Sequence, residues 1–321
     1  MKVAVIGGAG YIGAHIVNLL CEEDCQVVVF DNLSSGFKEN LNVKADFFNG
    51  DILDKSSLDS FFSNYNFDGI IHMAALKSAG ESMINSKIFS HNNIIGSINL
   101  ISMAVKYNID KFIFSSTAAV YGEPLYNPID EKHSTNPINH YGFTKLFIEK
   151  YLYWMQKKFG LKYVALRYFN AAGYTVNKDS VKFKETNPQN LLPLVMEVAN
   201  GSREKLNVFG NDYDTHDGTC IRDYINVVDL ADAHIKALAY LDYNKSCSIN
   251  LSTGVGYSVL DVINISRIIT GKNISYKFSK RREGDPEKLI SSNYMAKEKL
   301  NWIPKVSSLN EIVESMWIHY K

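Results

Sequence analysis

The chain has 321 residues, with 34 Lys+Arg against 34 Asp+Glu and a formal net charge of zero, so it is long enough for two lobes around a large core and lacks the basic bias of a nucleic-acid binder. Its four cysteines (Cys21, Cys25, Cys220, Cys247) form no CxxC pair, which points away from a zinc or thioredoxin-like site and toward reduced thiols in the cytoplasm. No apolar run approaches the ~20 residues of a membrane span, and Met1-Lys2 leads through Val3-Ala4-Val5-Ile6 straight into glycines, unlike a signal peptide.

In chain order, short apolar and β-branched runs predict strands at 2–6, 26–30, 46–49, 69–73, 111–114 and 163–168, with amphipathic helices at 11–20, 56–65, 88–107 and 141–159 between them. Near-continuous apolar strands imply a sheet covered on both faces. Their alternation with helices implies parallel strands with helical crossovers, a doubly wound α/β fold. From 171 to 189 the chain is polar and irregular. Helical patterns resume at 191–200, 229–241, 259–269 and 309–319, and 248–251 reads as a strand returning to the main sheet. The reading is a Rossmann domain over 1–170, rejoined by that strand, and a smaller, partly interleaved α/β lobe over 171–321.

Gly7, Gly10 and Gly13 follow the first strand and open the first helix, where a tight turn, a close backbone approach to a pyrophosphate and close helix packing need glycine. Amides at the helix N-terminus then face the negative charge. Asp31 ends the second strand; its carboxylate can accept from ribose hydroxyls and would repel a 2′-phosphate, so NAD is expected rather than NADP. Asp51-Ile52 follows the third strand, where an adenine would sit. Ala74-Ala75-Leu76-Lys77 follows the fourth, with small residues where the backbone must approach a cofactor. Asn93 reads either as a cofactor contact or as a surface or dimer contact.

Thr117 lies just past the fifth strand, and Tyr141 and Lys145 stand four apart, on one helix face. A nearby ammonium, the helix N-terminus and a positive nicotinamide ring all favour a phenolate. Bringing a tyrosine pKa from ~10 to near 7 takes about 4 kcal/mol, giving a base for a carbinol proton. A non-catalytic NAD-binding protein would have no use for Thr117, Tyr141 and Lys145 together.

The chain resembles the extended short-chain dehydrogenase/reductases, and within them the UDP-glucose (UDP-galactose) 4-epimerases, nearly from end to end. The resemblance is carried by Gly7–Gly13 with Tyr11-Ile12, by Asp31-Asn32, by Phe114-Ser115-Ser116-Thr117 with Val120-Tyr121-Gly122, and by Tyr141-Gly142 with Lys145. It continues through Leu166-Arg167-Tyr168-Phe169-Asn170, Phe209-Gly210-Asn211-Asp212-Tyr213, Asp217-Gly218-Thr219, Arg222-Asp223-Tyr224 and Arg281-Arg282-Glu283-Gly284-Asp285. It implies a cofactor site that also takes in Tyr11, Ile12, Asn32, Ser35, Gly36, Met73, Lys77 and Ser115, with Tyr168 and Phe169 at the nicotinamide. On the substrate side it implies contacts from Lys77, Thr117, Tyr141, Phe169 and Asn170, and it places Asn190, Leu191, Asn207 and Phe209 around a uridine diphosphate. Arg222 and Arg282 would fork onto its phosphates, and Asp285 would take its ribose hydroxyls. Leu289 stands where a tyrosine narrows the sugar pocket in this family, so UDP-N-acetylhexosamines are expected to fit as well.

The 4,6-dehydratases of the same fold carry an Asp-Glu pair after the catalytic Thr; here Ala118-Ala119 can move no proton. A net reductase would exchange its cofactor, usually NADPH, which Asp31 disfavours. Asp214, His216 and Asp217 invite a metal that the chemistry does not need, and none is expected. The helices at 88–107 and 141–159 suggest a homodimer built on a two-fold axis.

Overall fold

The computed structural model describes residues 1–176, 188–282 and 284–321. Most of the irregular stretch expected at 171–189, and Glu283 of the Arg281–Asp285 string, lie outside the described residues.

The first half of the chain lays down six strands: β1 (Lys2–Ile6), β2 (Gln26–Asp31), β3 (Asp46–Asn49), β4 (Gly69–His72), β5 (Lys111–Ser115) and β6 (Lys162–Tyr168). Three short strands follow, β7 (Asn170–Ala172), β8 (Leu206–Phe209) and β9 (Ile221–Asn226), before β10 (Cys247–Leu251) returns. The main sheet has seven strands in the order β10-β6-β5-β4-β1-β2-β3, and every pairing in it is parallel.

Alternation along the strands builds two cores. Val3, Val5, Val29, Ile71, Ile113 and Val164 face the helices Tyr11–Glu22 and Val227–Tyr240 in one cluster. Ala4, Ile6, Phe30, Ile70, Phe112 and Phe114 face Lys55–Asn64, Gly96–Lys106 and His140–Phe159 in the other. Successive side chains on a strand point to opposite faces, so the continuous apolar runs are accounted for by burial on both sides.

The remaining strands are β11 (Gly256–Ser258), β12 (Tyr276–Ser279) and β13 (Lys288–Leu289). β9 pairs in parallel with β7 and β13 and antiparallel with β11, while β8 and β12 form a separate parallel pair. The helices Leu191–Ala199, Val259–Thr270 and Leu309–Tyr320 pack a third core beneath them. Ala296, Leu300 and Trp302, from the C-terminal part of the chain, lie instead in the first core with Val227–Tyr240.

Every strand and long helix read from sequence is present, most shifted by only a residue or two. The helices Ala79–Ile84 and Tyr294–Leu300 and the strands β7, β8, β9, β11, β12 and β13 are not legible in the sequence. The helix expected at 88–107 is composite: Ser86–Phe89, a π-helical Ser90–Ile95 and Gly96–Lys106 follow without a break. Because the sheet is parallel, Gly7, Asp31, Met73, Thr117 and Phe169 all emerge along one edge, the carboxyl ends of the strands, where doubly wound folds bind ligands.

Candidate active site

The glycine loop is shaped by two close approaches. Gly7 has φ +82°, and a Cβ there would stand 2.5 Å from the Ala74 amide nitrogen; a Cβ at Gly13 would stand 2.3 Å from the Gly7 carbonyl. Only glycine fits either position. Gly10 is the N-cap of Tyr11–Glu22, with no side chain capping the helix and no acidic residue in its first turn. Those amides suit an anion. Ser35 is exposed beside Gly36, which is drawn across the loop by the Phe37 amide bonding to the Ala9 carbonyl at 3.1 Å.

Asp31 ends β2 with its carboxylate 8 % exposed. It accepts from the Ala9 amide at 2.9 Å and the Leu33 amide at 2.8 Å; burial raises its pKa and these two bonds pull it back. An ionised carboxylate has about four acceptor positions, so room remains for a diol. Asn32 donates to Asp51 at 2.9 Å on the open side. Ile52 is core, its carbonyl accepting from Asn99 at 3.1 Å. At the end of β4 the Met73 and Ala74 amides share the Ile6 carbonyl at 2.7 and 3.0 Å; Ala75 follows half-buried and Lys77 exposed.

Asn93 is not a surface residue, which corrects that alternative. It is 2 % exposed, accepts from the Leu76 amide at 2.8 Å, donates to the Leu76 carbonyl at 2.9 Å and reaches the Thr144 hydroxyl at 3.2 Å. It thus ties the loop after β4 to the helix that carries Tyr141 and Lys145.

That helix, His140–Phe159, is capped by Asn139, which accepts from the Gly142 amide at 2.8 Å. Tyr141 is half-buried and its amide donates to the hydroxyl of Ser82, on the short helix Ala79–Ile84, at 2.9 Å; no sequence pattern marks Ser82 as a support. The Thr117 hydroxyl lies close enough to the Tyr141 phenol to favour its ionisation, and it accepts from the Ala119 amide at 3.2 Å. Lys145, 3 % exposed, donates to the Ser115 carbonyl at 2.7 Å, with its nitrogen 5.8 Å from the Tyr141 ring centre. The Ser115 and Tyr168 hydroxyls are bonded to each other.

Burial dominates the electrostatics. It pushes the Tyr141 phenol up to about 12, against the opposing effect of Thr117, and brings Lys145 down to about 7. The Lys145 ammonium is itself disfavoured by burial and is bonded to the Ser115 carbonyl.

The expected nucleotide-sugar residues converge on a cavity of about 170 Å³ lined by Asn170, Asn190, Leu191, Asn207, Phe209, Arg222, Arg282 and Asp285. Tyr224 and Gln189 also line it, and neither has a role assigned from the sequence. Arg282 stacks on the Phe209 ring at 4.0 Å. Arg222 is 9 % exposed and ion-paired with Asp285, so the expected phosphate ligand and the expected ribose acceptor are partners here. Asn170 donates to the Asp223 carbonyl at 3.0 Å. Leu289 lies apart from this cavity, packed beside Phe169, Ala118 and Tyr121 near the end of β5. Phe169 is buried there, 8 % exposed.

His216 stands 3.6 Å from Asp217 and 3.3 Å from Asp261. Both carboxylates already serve local structure, Asp217 accepting from the Thr219 amide and Asp261 closing a capping box with Ser258. Among the described residues no helix is long and apolar enough to cross a membrane.

The sequence matches the NAD dependent epimerase/dehydratase family over residues 3–251. It is 45% identical to the UDP-glucose 4-epimerase of Halalkalibacterium halodurans, over 100% of this chain and 96% of that protein. The fold superposes on the Brucella ovis UDP-glucose 4-epimerase solved with NAD at a TM-score of 0.96, with 38% identity, covering 99% of this chain and 98% of that one. On the UDP-Glc/GlcNAc 4-epimerase of Campylobacter jejuni the TM-score is 0.87, with 37% identity and coverage of 99% and 98%.

Proposed function

The chain belongs to the NAD dependent epimerase/dehydratase family, and on that premise we propose that it catalyses NAD-dependent 4-epimerisation of UDP-hexoses, converting UDP-galactose to UDP-glucose. The observation that carries the reading is Lys145 fixed to the Ser115 carbonyl one helical turn from Tyr141, with Thr117 next to it at the end of β5 and a cavity lined by Arg222, Arg282, Asp285, Asn190 and Asn207 in the second lobe. Ala118 and Ala119, beside Thr117, leave no acid or base for elimination.

The glycine loop, uncapped helix N-terminus and Asp31 fit NAD along the strand ends. Bound there, NAD supplies the acceptor and returning donor of hydride for sugar carbon 4, together with a positive ring charge. Tyr141 takes the 4-hydroxyl proton and later returns it, with the Thr117 hydroxyl donating to the phenolate or to the substrate oxygen. Lys145, held by the Ser115 carbonyl, keeps an ammonium on the same helix face. Arg222 and Arg282 hold the diphosphate: the arginine leaves Asp285 for phosphate, and Asp285 is released to the ribose. Binding energy gathered on the nucleotide leaves the sugar ring free to present its other face, which inverts carbon 4.

In this reading residues 1–170 with β10 form the cofactor lobe and 171–321 the nucleotide-sugar lobe, in a cytoplasmic homodimer. The partly exposed Leu289 leaves room for an N-acetyl group, so UDP-GalNAc is also a substrate; the Campylobacter jejuni relative named for both sugars supports this. Purified protein incubated with UDP-galactose, with epimers resolved by NMR, tests the assignment. Conversion with loss of at least about 100-fold in kcat for Tyr141→Phe is expected; undiminished Tyr141→Phe activity would remove Tyr141 from the mechanism.

A further inference from the structure

The end of β5 is three consecutive hydroxyl residues, and each meets a different residue of the His140–Phe159 helix. The Thr117 hydroxyl lies close to the Tyr141 phenol, the Ser115 carbonyl accepts from Lys145 at 2.7 Å, and the Ser116 hydroxyl donates to the Glu149 carboxylate. Tyr141, Lys145 and Glu149 are spaced four apart and so share one helix face. The first two contacts belong to the reaction proposed above, while the third has no part in it.

Ser116 is fully buried and Glu149 is 6 % exposed. The same carboxylate accepts a fork from Arg167 on β6, with Nε at 2.9 Å and Nη2 on the other oxygen, and lies 3.5 Å from the Ser248 hydroxyl on β10. Arg167 continues to the Tyr121 hydroxyl at 3.0 Å, which donates to Asn250 at 2.6 Å. One carboxylate on the helix of Tyr141 therefore grips three neighbouring strands. Hydrogen bonds to an ionised group are about twice as strong as neutral ones, and a buried setting stiffens them further. Beyond β5 the chain is held at Ser116 twice, through its amide to the Leu166 carbonyl at 2.9 Å and through its hydroxyl to Glu149. Thr117 is the next residue.

We propose that Glu149, acting through Ser116, is a positioning residue for this reaction: it sets the height of the β5 end against the helix, and thereby the approach of the Thr117 hydroxyl to the Tyr141 phenol. The inference rests on the assignment of Thr117 and Tyr141 to proton transfer. Ser116→Ala removes the link and leaves Glu149 its Arg167 partner.

The test compares wild type, Ser116→Ala and Ser116→Cys, the last similar in volume and a weaker donor. For Ser116→Ala, kcat with UDP-galactose falls about tenfold while KM moves less than about twofold, the pattern of a contact that matters only in the transition state. Bound NAD per chain stays at the wild-type value, and Tm falls by only a few degrees, the cost of one buried hydrogen bond. Single-turnover reduction of the bound cofactor on mixing with UDP-galactose slows by the same factor, and Ser116→Cys falls between. Ser116→Cys is read alone if the alanine variant does not fold. Equal rates in all three proteins overturn the proposal, as does a loss that tracks missing NAD or a fraction of unfolded protein at the assay temperature. A wild-type protein that neither epimerises UDP-galactose nor reduces bound cofactor overturns the reaction assignment itself.

Discussion

Lys145 donates to the Ser115 carbonyl, not to the Tyr141 phenol, and burial lowers its pKa to about 7. The unfolded chain, with an ordinary lysine, holds more protons between pH 7 and 10.5. Stability of the cofactor-free protein therefore rises with pH in that window, by about 1.4 kcal/mol per pH unit from this one group. The raised Tyr141 and Cys21 values act in the opposite sense, but only above about pH 9. Urea unfolding at pH 7 and 9 should show the gain in wild type and lose it in Lys145→Met; an unchanged slope would mean Lys145 is not buried as a strained cation. At Leu289 the prediction concerns shape: Leu289→Tyr should cut UDP-GalNAc turnover at least about tenfold and leave UDP-galactose within about threefold, read by NMR of both reactions. Much of this residue-level site was legible, since Tyr141, Lys145 and Thr117 follow from spacing and a strand end. The Arg222–Asp285 pair was not, because 63 residues separate them and no local pattern links them.

At the level of elements, the βα turns show best what sequence can and cannot tell. Gly7, Gly10 and Gly13 announce the loop, and the structure adds the partner that makes Gly7 necessary, the Ala74 amide at the end of β4. Gly13→Ala forces its Cβ toward the Gly7 carbonyl, so the protein should purify with little bound NAD and lose about 1–3 kcal/mol of stability; full NAD content, measured after acid release, would contradict this. The central main-sheet strands were readable because both faces are buried, which writes an apolar run into each; the edge strand β3 is only half-buried and carries just Phe47-Phe48. β13, with two residues, writes none. The π-helical Ser90–Ile95 was equally invisible, yet it lies where Asn93 turns inward to clamp Leu76, as π-segments at functional positions often do.

For the whole molecule, the helices around Tyr141 leave apolar side chains outside. Ile84 is 83 % exposed, Ile88 58 %, Phe147 39 % and Trp154 64 %. Exposed apolar side chains on these helices are what the proposed homodimer would cover; on that proposal, sedimentation of Phe147→Glu should show a monomer and wild type a dimer. The chain also passes between its two parts more than once, through β10 and through Trp302 in the first core, so a cut at residue 170 should yield no soluble N-terminal half. The central claim is that hydride leaves sugar carbon 4 and comes back to the same carbon without meeting solvent. UDP-galactose deuterated at carbon 4, incubated in ordinary water with no added NAD, tests it most directly. UDP-glucose should form with the deuterium still on carbon 4 in inverted configuration; product that has exchanged the label with solvent, or that forms only with added NAD in stoichiometric amount, would rule out internal hydride return.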